Sequence, residues 1–344
     1  MKREIVFCAS VLVCFAGLQA QPVQLDEFTP CRNGCQSVVL AGGNQFVIQG
    51  GNGVNSGTLL FIDSMGDQAP MILGLPAGNA SDGTKFGPIA LAQDGNNLYL
   101  TFGEADQFHS TGPLRNLPLT PTQFSGFVIQ VVFSTDPANE PGPFYIQQWD
   151  REAILIGTPV TLTAGANTAT ISRVATLPAG AKPVGIAKIT SAPKQLFVVD
   201  SGSNLLLAID QTSGVVSTLL QFPGTPENVR PYAADQLLVS LFGRVNSVWV
   251  VNPITADSRV LTGGLSSVVD AIALHASEKT SVYVLENSAD EQGLGQLVLV
   301  DSTGPKSVLV NALNDPASLS IDEATGRLFI YSRGDGVIYS IAVR

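Results

Sequence analysis

Apolar runs of strand length, each bounded by turn residues, dominate this chain, and helical spacing of apolar positions is nearly absent. One short run recurs as Gln45-Phe46-Val47-Ile48, Leu98-Tyr99-Leu100-Thr101, Leu196-Phe197-Val198-Val199, Leu237-Leu238-Val239-Ser240, Val282-Tyr283-Val284-Leu285 and Leu328-Phe329-Ile330-Tyr331. The last four begin at 196, 237, 282 and 328, spacings of 41, 45 and 46 residues. That period belongs to four-stranded propeller blades.

Each run has the same neighbours. An apolar strand precedes it, at 37–41, 88–92, 184–189, 230–234, 270–275 and 317–321. A third strand follows, often closed by an acid or amide, as at Asp63, Asp210, Asn252 and Asp301. Such a side chain bonds the backbone of the next turn. Fourth strands are expected at 215–220, 259–262 and 307–310. The junctions Leu75-Pro76-Ala77-Gly78 and Leu177-Pro178-Ala179-Gly180 are near copies, each ahead of a first strand. Pro and Gly stop the outer strand there and turn the chain inward.

The segment around 105–170 is irregular, and the second strands on either side of it start at 98 and 196, about two periods apart. A third strand is expected at 127–133, a strand-like run at 144–149, another at 159–163 and a fourth strand at 169–176. This is either an elaborated blade with an inserted hairpin or a concealed seventh blade. The visible first-strand and second-strand pairs number six, so the expected fold is all-β, a six-bladed β-propeller, with seven blades as the alternative. The last unit lacks a fourth strand, and residues 23–28 can supply it. Pairing the two ends of the chain would remove free sheet edges.

Residues 1–20 read as a secretory leader: Lys2 and Arg3, an apolar stretch from Ile5 to Leu18, and a small-residue cut after Ala20. The expected mature chain is one domain, 21–344, exported to a periplasmic or extracellular compartment and monomeric. Val11-Leu12-Val13-Cys14 offers a weaker lipoprotein-box reading. No other stretch approaches the roughly 20 apolar residues of a helical membrane span. Cys8 and Cys14 leave with the leader. Cys31 and Cys35 are then expected to form a disulfide, the rival reading being a metal or redox pair.

The chain has 344 residues, 45% of them hydrophobic and 13% charged, with a formal charge of −10. It can bury a large core. Its acidity argues against nucleic acid, which needs a Lys/Arg surface.

Gly57-Thr58-Leu59-Leu60, Leu73 to Gly78, Gly87-Pro88-Ile89-Ala90, Lys182 to Ala187, Leu196 to Gly202, Val269 to Leu274 and Val282 to Glu286 together resemble a secreted six-bladed propeller family. This is the family related to proteins encoded with scytonemin biosynthesis, and it is similar more loosely to NHL and gluconolactonase-like propellers. The resemblance implies the architecture and brings no catalytic residues with it.

In such a fold, the connections after the second strands and those entering the first strands gather around one end of the channel. They carry Asn52, Asn55, Glu104, Asp106, Asp200, Asn204, Asn228, Arg244, Asn246, Asp270, Glu286, Asn287, Asp290, Asp315, Arg333 and Asp335. The expected ligand-binding residues are Glu104, Asp200, Asn204, Asp270 and Glu286. Several such oxygens could hold Ca²⁺, although Asp, Asn and Gly are also ordinary turn formers. Neither His109 nor His275 has the companions of a zinc site or a Ser–His–Asp set. Trp149, Phe144 and Tyr145 are candidates for a recognition surface or for packing of the insertion. The leading functional expectation is an exported, non-catalytic propeller binding a protein, glycan or small molecule. The alternative is a Ca²⁺-dependent hydrolase or lactonase at the channel mouth.

Overall fold

The structure is a computed structural model that describes residues 25–30, 35–41, 44–49, 55–79, 85–103, 124, 126–139, 142–276, 279–287, 294–301 and 306–343. The leader at 1–20, Cys31, Glu104, His109 and the loop 107–123 lie outside the described residues.

Among the described residues, six antiparallel-cored sheets form the ring, beside a two-stranded ribbon of Gly78–Asn79 and Lys85–Phe86. Blade 1 runs outward through Cys35–Ala41, Asn44–Gln49, Gly57–Ile62 and Gln68–Leu75. Blade 2 comprises Pro88–Asp94, Asn97–Phe102, Phe127–Phe133 and Asn167–Thr176. Blade 3 is Pro183–Ala187, Gln195–Asp200, Leu205–Asp210 and Val216–Gln221, and blade 4 is Thr225–Ala233, Gln236–Phe242, Ser247–Val251 and Ser258–Thr262. Blade 5 is Val268–Ala276, Lys279–Glu286, Leu294–Asp301 and Ser307–Asn314. Blade 6 is Pro316–Asp322, Arg327–Ser332 and Val337–Ala342, completed by Asp26–Pro30 from the other end of the chain. Each first strand packs against the first strands of both neighbours, so the ring closes.

Burial follows this radial order. Second strands are buried on both faces, Leu196 to Asp200 being a continuous buried run, because each blade is sandwiched between two others. That is why they read as unbroken apolar runs. Outer strands such as Val216–Gln221 are half-buried or exposed. The core is split into six clusters, each wedged between adjacent blades, the last joining Val47, Leu60 and Ile62 to Phe329, Tyr331 and Ile338. Asp63, Asp210 and Asn252 close third strands and accept backbone N–H groups of their turns, as at Met65 (2.8 Å), Ser213 (2.7 Å) and Ile254 (2.9 Å).

Among the described residues, the irregular segment is an elaboration of blade 2 with no seventh blade. Val160–Ala164 pairs with the fourth strand as an extra edge strand. The strand expected over 144–149 holds only at Phe144–Tyr145, which adds in parallel to the outer strand of blade 1. A helix follows at Gln148–Leu155. Asp150 decides this: its carboxylate accepts the Gln147 N–H at 2.8 Å in a reciprocal capping box, and that local bond outweighs the strand-like pattern. Arg151 fixes the helix to blade 1 by donating to the carbonyls of Ile146 (2.9 Å) and Gly74 (3.2 Å). Gly74, at φ +84°, is needed for this docking, since a Cβ there would stand 2.6 Å from the Ile146 carbonyl oxygen.

Near the axis, one ion pair ties three blades together. Arg230 of blade 4 donates to Asp270 of blade 5 at 2.8 Å, and to the Leu319 carbonyl (3.0 Å) and Ser318 hydroxyl (3.3 Å) of blade 6. Asp270 also accepts the N–H groups of Ala271 and Leu319, both at 2.9 Å. Asp270 is fully buried and Arg230 nearly so, so each depends on the other for compensation.

Two outcomes follow. Asp270→Ala, which strands a buried guanidinium, is expected to cost about 3–5 kcal/mol in urea denaturation, and joint replacement by Arg230→Met with Asp270→Leu less than that single change. At the closure, Phe28 meets Phe329 edge-on at 5.0 Å and Thr29 donates to the Gly66 carbonyl of blade 1 at 2.9 Å. Phe28→Ala should lower stability by about 2 kcal/mol. Deleting residues 26–30 should lower the melting temperature further and produce concentration-dependent aggregation, visible by light scattering, through the freed edge of Val337–Ala342.

Candidate ligand site at the channel mouth

Every first strand carries a β-bulge one or two residues from its start. The register slips between Cys35 and Ser37, Pro88 and Ala90, Pro183 and Gly185, Pro226 and Asn228, Val268 and Asp270, and Pro316 and Ser318. The extra residues are Gln36, Ile89, Val184, Glu227, Val269 and Ala317. A bulge bends its strand and re-aims one side chain. Ile89, Val184, Glu227, Val269 and Ala317 all line a cavity of about 370 Å³, completed by Asn228, Phe242, Ser267, Asn287, Pro316 and Arg333 among others. Around the bulges, the backbone is held by a repeated bond. The residue after the second strand donates its N–H to the carbonyl at the entry to the first strand: Gly103 to Gly87 (3.0 Å), Ser201 to Lys182 (2.9 Å), Asn287 to Ser267 (2.7 Å) and Arg333 to Asp315 (2.9 Å).

The residue after each bulge is small or polar: Ser37, Ala90, Gly185, Asn228, Asp270 and Ser318. These positions lie where neighbouring first strands crowd together. A Cβ on Gly185 would come within 2.6 Å of Asn228 Oδ1 and 2.7 Å of the Val229 nitrogen. Both the Arg230–Asp270 pair and this small-residue ring belong to the same first strands as the mouth.

Glu227 sets the electrostatics of the cavity. Burial, with no compensating charge among the described residues, pushes its carboxyl up to about 7. The other bulge residues on the cavity wall are hydrocarbon, which is the physical source of that penalty. Arg333 does not neutralise Glu227, because its guanidinium is engaged with Asp315 through two contacts of 2.6 and 2.8 Å. Those bonds hold the Asp315 carboxyl below its usual range and raise the guanidinium in turn.

The expected site residues are dispersed around the mouth. Asp200, buried at the end of its strand, accepts the N–H groups of Lys182 (2.7 Å) and Gly202 (2.9 Å) through one oxygen. Glu286 is buried too, accepting from the Ser266 N–H at 2.8 Å and the Gln296 amide at 2.5 Å. Asp270 is in the ion pair described above. Asn204 occupies a left-handed turn position at φ +60°, with its carbonyl accepting the Phe222 N–H at 2.8 Å. Among the described residues, no three His, Cys, Asp or Glu side chains gather as a metal site. Of the insertion aromatics, Phe144 is core, whereas Tyr145 and Trp149 are exposed.

At the opposite end of the ring, Lys188, Tyr232, His275 and Glu323 line a second cavity of about 490 Å³. His275 Nδ1 lies 3.0 Å from the Thr280 hydroxyl, and its ring meets Tyr232 edge-on. Lys188 reaches Asp94 at 2.5 Å.

Glu227 is absent from the residues singled out by sequence. The signal is nonetheless present: with the first strands aligned on Pro88, Pro183, Pro226 and Pro316, the next position reads Ile, Val, Glu and Ala. One acid in an otherwise apolar column marks it.

No protein-family model matches this chain, and no curated protein is detectably similar to it in sequence. Solved propellers share its architecture. An auxiliary nutrient binding protein from Bacteroides thetaiotaomicron is 9% identical, with a TM-score of 0.54 over 92% of this chain and 75% of that one. A protein of unknown function from the same organism is 13% identical, with a TM-score of 0.53 over 92% and 70%. YCF48 bound to D1 peptide is 11% identical, with a TM-score of 0.52 over 95% and 97%. At such identities the likeness is one of fold, and it places the chain among the β-propellers.

Proposed function

We propose that this protein is an exported, single-domain binding propeller that takes a small molecule at the channel mouth. The observation that carries the reading is the ring of bulge residues around a cavity of about 370 Å³, a size suited to small ligands. Its wall combines hydrocarbon from Ile89, Val184, Val269 and Ala317 with polar groups at Glu227, Asn228, Ser267, Asn287, Ser318 and Arg333. That combination gives burial energy to the body of a ligand and orientation to its polar end. A similarly folded protein bears the description of an auxiliary nutrient binding protein, which supports a binding role. Among the described residues no helix is long and apolar enough to cross a membrane; the leader-like start supports export. Asp200, Asn204, Asp270 and Glu286 enter this reading as residues that shape the mouth and the strands below it.

The reading is tested by filling the mouth. Val184→Trp and Ala317→Trp should remove the binding of small-molecule hits found by thermal-shift screening and confirmed by calorimetry. Each variant should melt within a few degrees of the parent protein. Hits that bind both variants undiminished would place the site elsewhere and sink the proposal.

Glu227 adds a pH signature. Its carboxyl loses its proton near 4.5 in the unfolded chain and near 7 in the folded one. Between these values the folded state holds the extra proton, so stability falls as pH rises through this window and levels off above it. Glu227→Gln should therefore stabilise the protein at pH 8 by about 3 kcal/mol and flatten that part of the profile, as read by denaturant titration at several pH values.

A further inference from the structure

We infer that the mouth selects a small organic cation, a protonated amine on an apolar or aromatic body, with Glu227 as its counter-ion. This deepens the proposed ligand-binding reading and rests on it. The argument is one of charge accounting around a single cavity. Arg333 is neutralised by Asp315 at the rim. Arg230 and Asp270 neutralise each other. Asp200 and Glu286 accept backbone and amide hydrogens. Glu227 has neither an ion pair nor a hydrogen bond among the described residues, and it stands in a ring whose other lining members are Ile89, Val184, Val269 and Ala317.

Such a wall discriminates by charge. A ligand carboxylate would face Glu227 with like charge in a poorly solvated space, which costs far more than it does in water. A neutral ligand would leave the carboxylate without compensation. An ammonium supplies the missing positive charge and up to three N–H donors, and the apolar members of the ring cover its carbon skeleton. Phe242, 43% exposed, offers an aromatic ring beside the same opening.

The charged and titratable groups on the elements packed against the first strand of blade 4 leave this assignment intact. Blade 4 itself carries Arg230, and Arg244 is exposed beyond its second strand. The adjoining strands of blade 5 carry Asp270, His275, Lys279, Tyr283 and Glu286. Blade 3 contributes Asp200, with Lys182 exposed on the connection before its first strand and Lys188 just after that strand. Lys188 and His275 line the cavity at the other end of the ring.

Because burial delays ionisation of Glu227 in the empty cavity, cation binding expels a proton below neutral pH. Affinity should fall about tenfold per unit below pH 7.

The test uses calorimetry with three probes of one shape: 2-phenylethylammonium, 2-phenylethanol and phenylacetate, each at pH 8 and pH 6. The ammonium should bind tightest at pH 8 and about tenfold more weakly at pH 6. It should lose at least tenfold in Glu227→Gln, whose melting curve reports that it is folded, and should be excluded by Val184→Trp. If phenylethanol or phenylacetate matches the ammonium at pH 8 yet is excluded by Val184→Trp, the mouth remains a binding site and the cation preference is overturned. The preference is equally overturned if Glu227→Gln binds the ammonium as well as the parent does. If none of the three binds, the cation preference is overturned, while the reading beneath it is decided separately by the screened hits and the two Trp variants.

Discussion

An extra residue near the start of each first strand is the constraint on which the axis of this protein depends. Strands converging from six blades must pass close to one another, and a regular ladder would carry the same alternation of faces from end to end. The bulge breaks that alternation once per blade. Below it, side chains are small or mutually bonded, as with Gly185 against Asn228 and Arg230 against Asp270. At the bulge itself, the half-buried residues Ile89, Val184, Glu227, Val269 and Ala317 line a cavity. Packing at the axis and the opening at the mouth are thus two consequences of one register shift.

That division explains how buried charge is distributed. Asp200, Asp270 and Glu286 are deeply buried, and each is surrounded by donors: backbone N–H groups, a glutamine amide or a guanidinium. They hold connections and strands in place, and their ionised form is compensated by the fold. Glu227 is an extra residue outside the ladder, and among the described residues no neighbouring strand presents it with a donor. The same geometry that gives it access to the cavity removes the means of satisfying it.

The blade architecture was legible in the sequence because a second strand sandwiched between two blades must be apolar on both faces, and that produces the recurring run from Gln45 to Tyr331. Closure was legible too, since the last blade visibly lacks a strand; the observed partner is Asp26–Pro30, a few residues beyond the segment expected. The helix at Gln148–Leu155 was hidden because its formation rests on one capping interaction, by Asp150, and on docking to blade 1, neither of which has a periodic signature. Glu227 was hidden for a related reason. Between Pro226 and Asn228 it reads as one more polar residue of an entry loop. Only the pairing register, Pro226 with Leu241 and Asn228 with Ser240, reveals it as the extra residue of a bulge.

An unsatisfied carboxylate in an apolar setting is a standing cost, and in most of this protein such costs have been removed by a donor close at hand. Replacing Glu227 by an aliphatic residue would match the other lining members of its ring and relieve the desolvation that raises its pKa. The fold gains nothing from the acid, because no strand, turn or neighbouring blade described here uses its oxygens. A group that destabilises its own surroundings while facing an opening is best accounted for by what enters that opening, and a carboxylate is completed by a positive charge. The ring of bulges makes that completion selective, since its hydrocarbon members Ile89, Val184, Val269 and Ala317 supply no charge of their own.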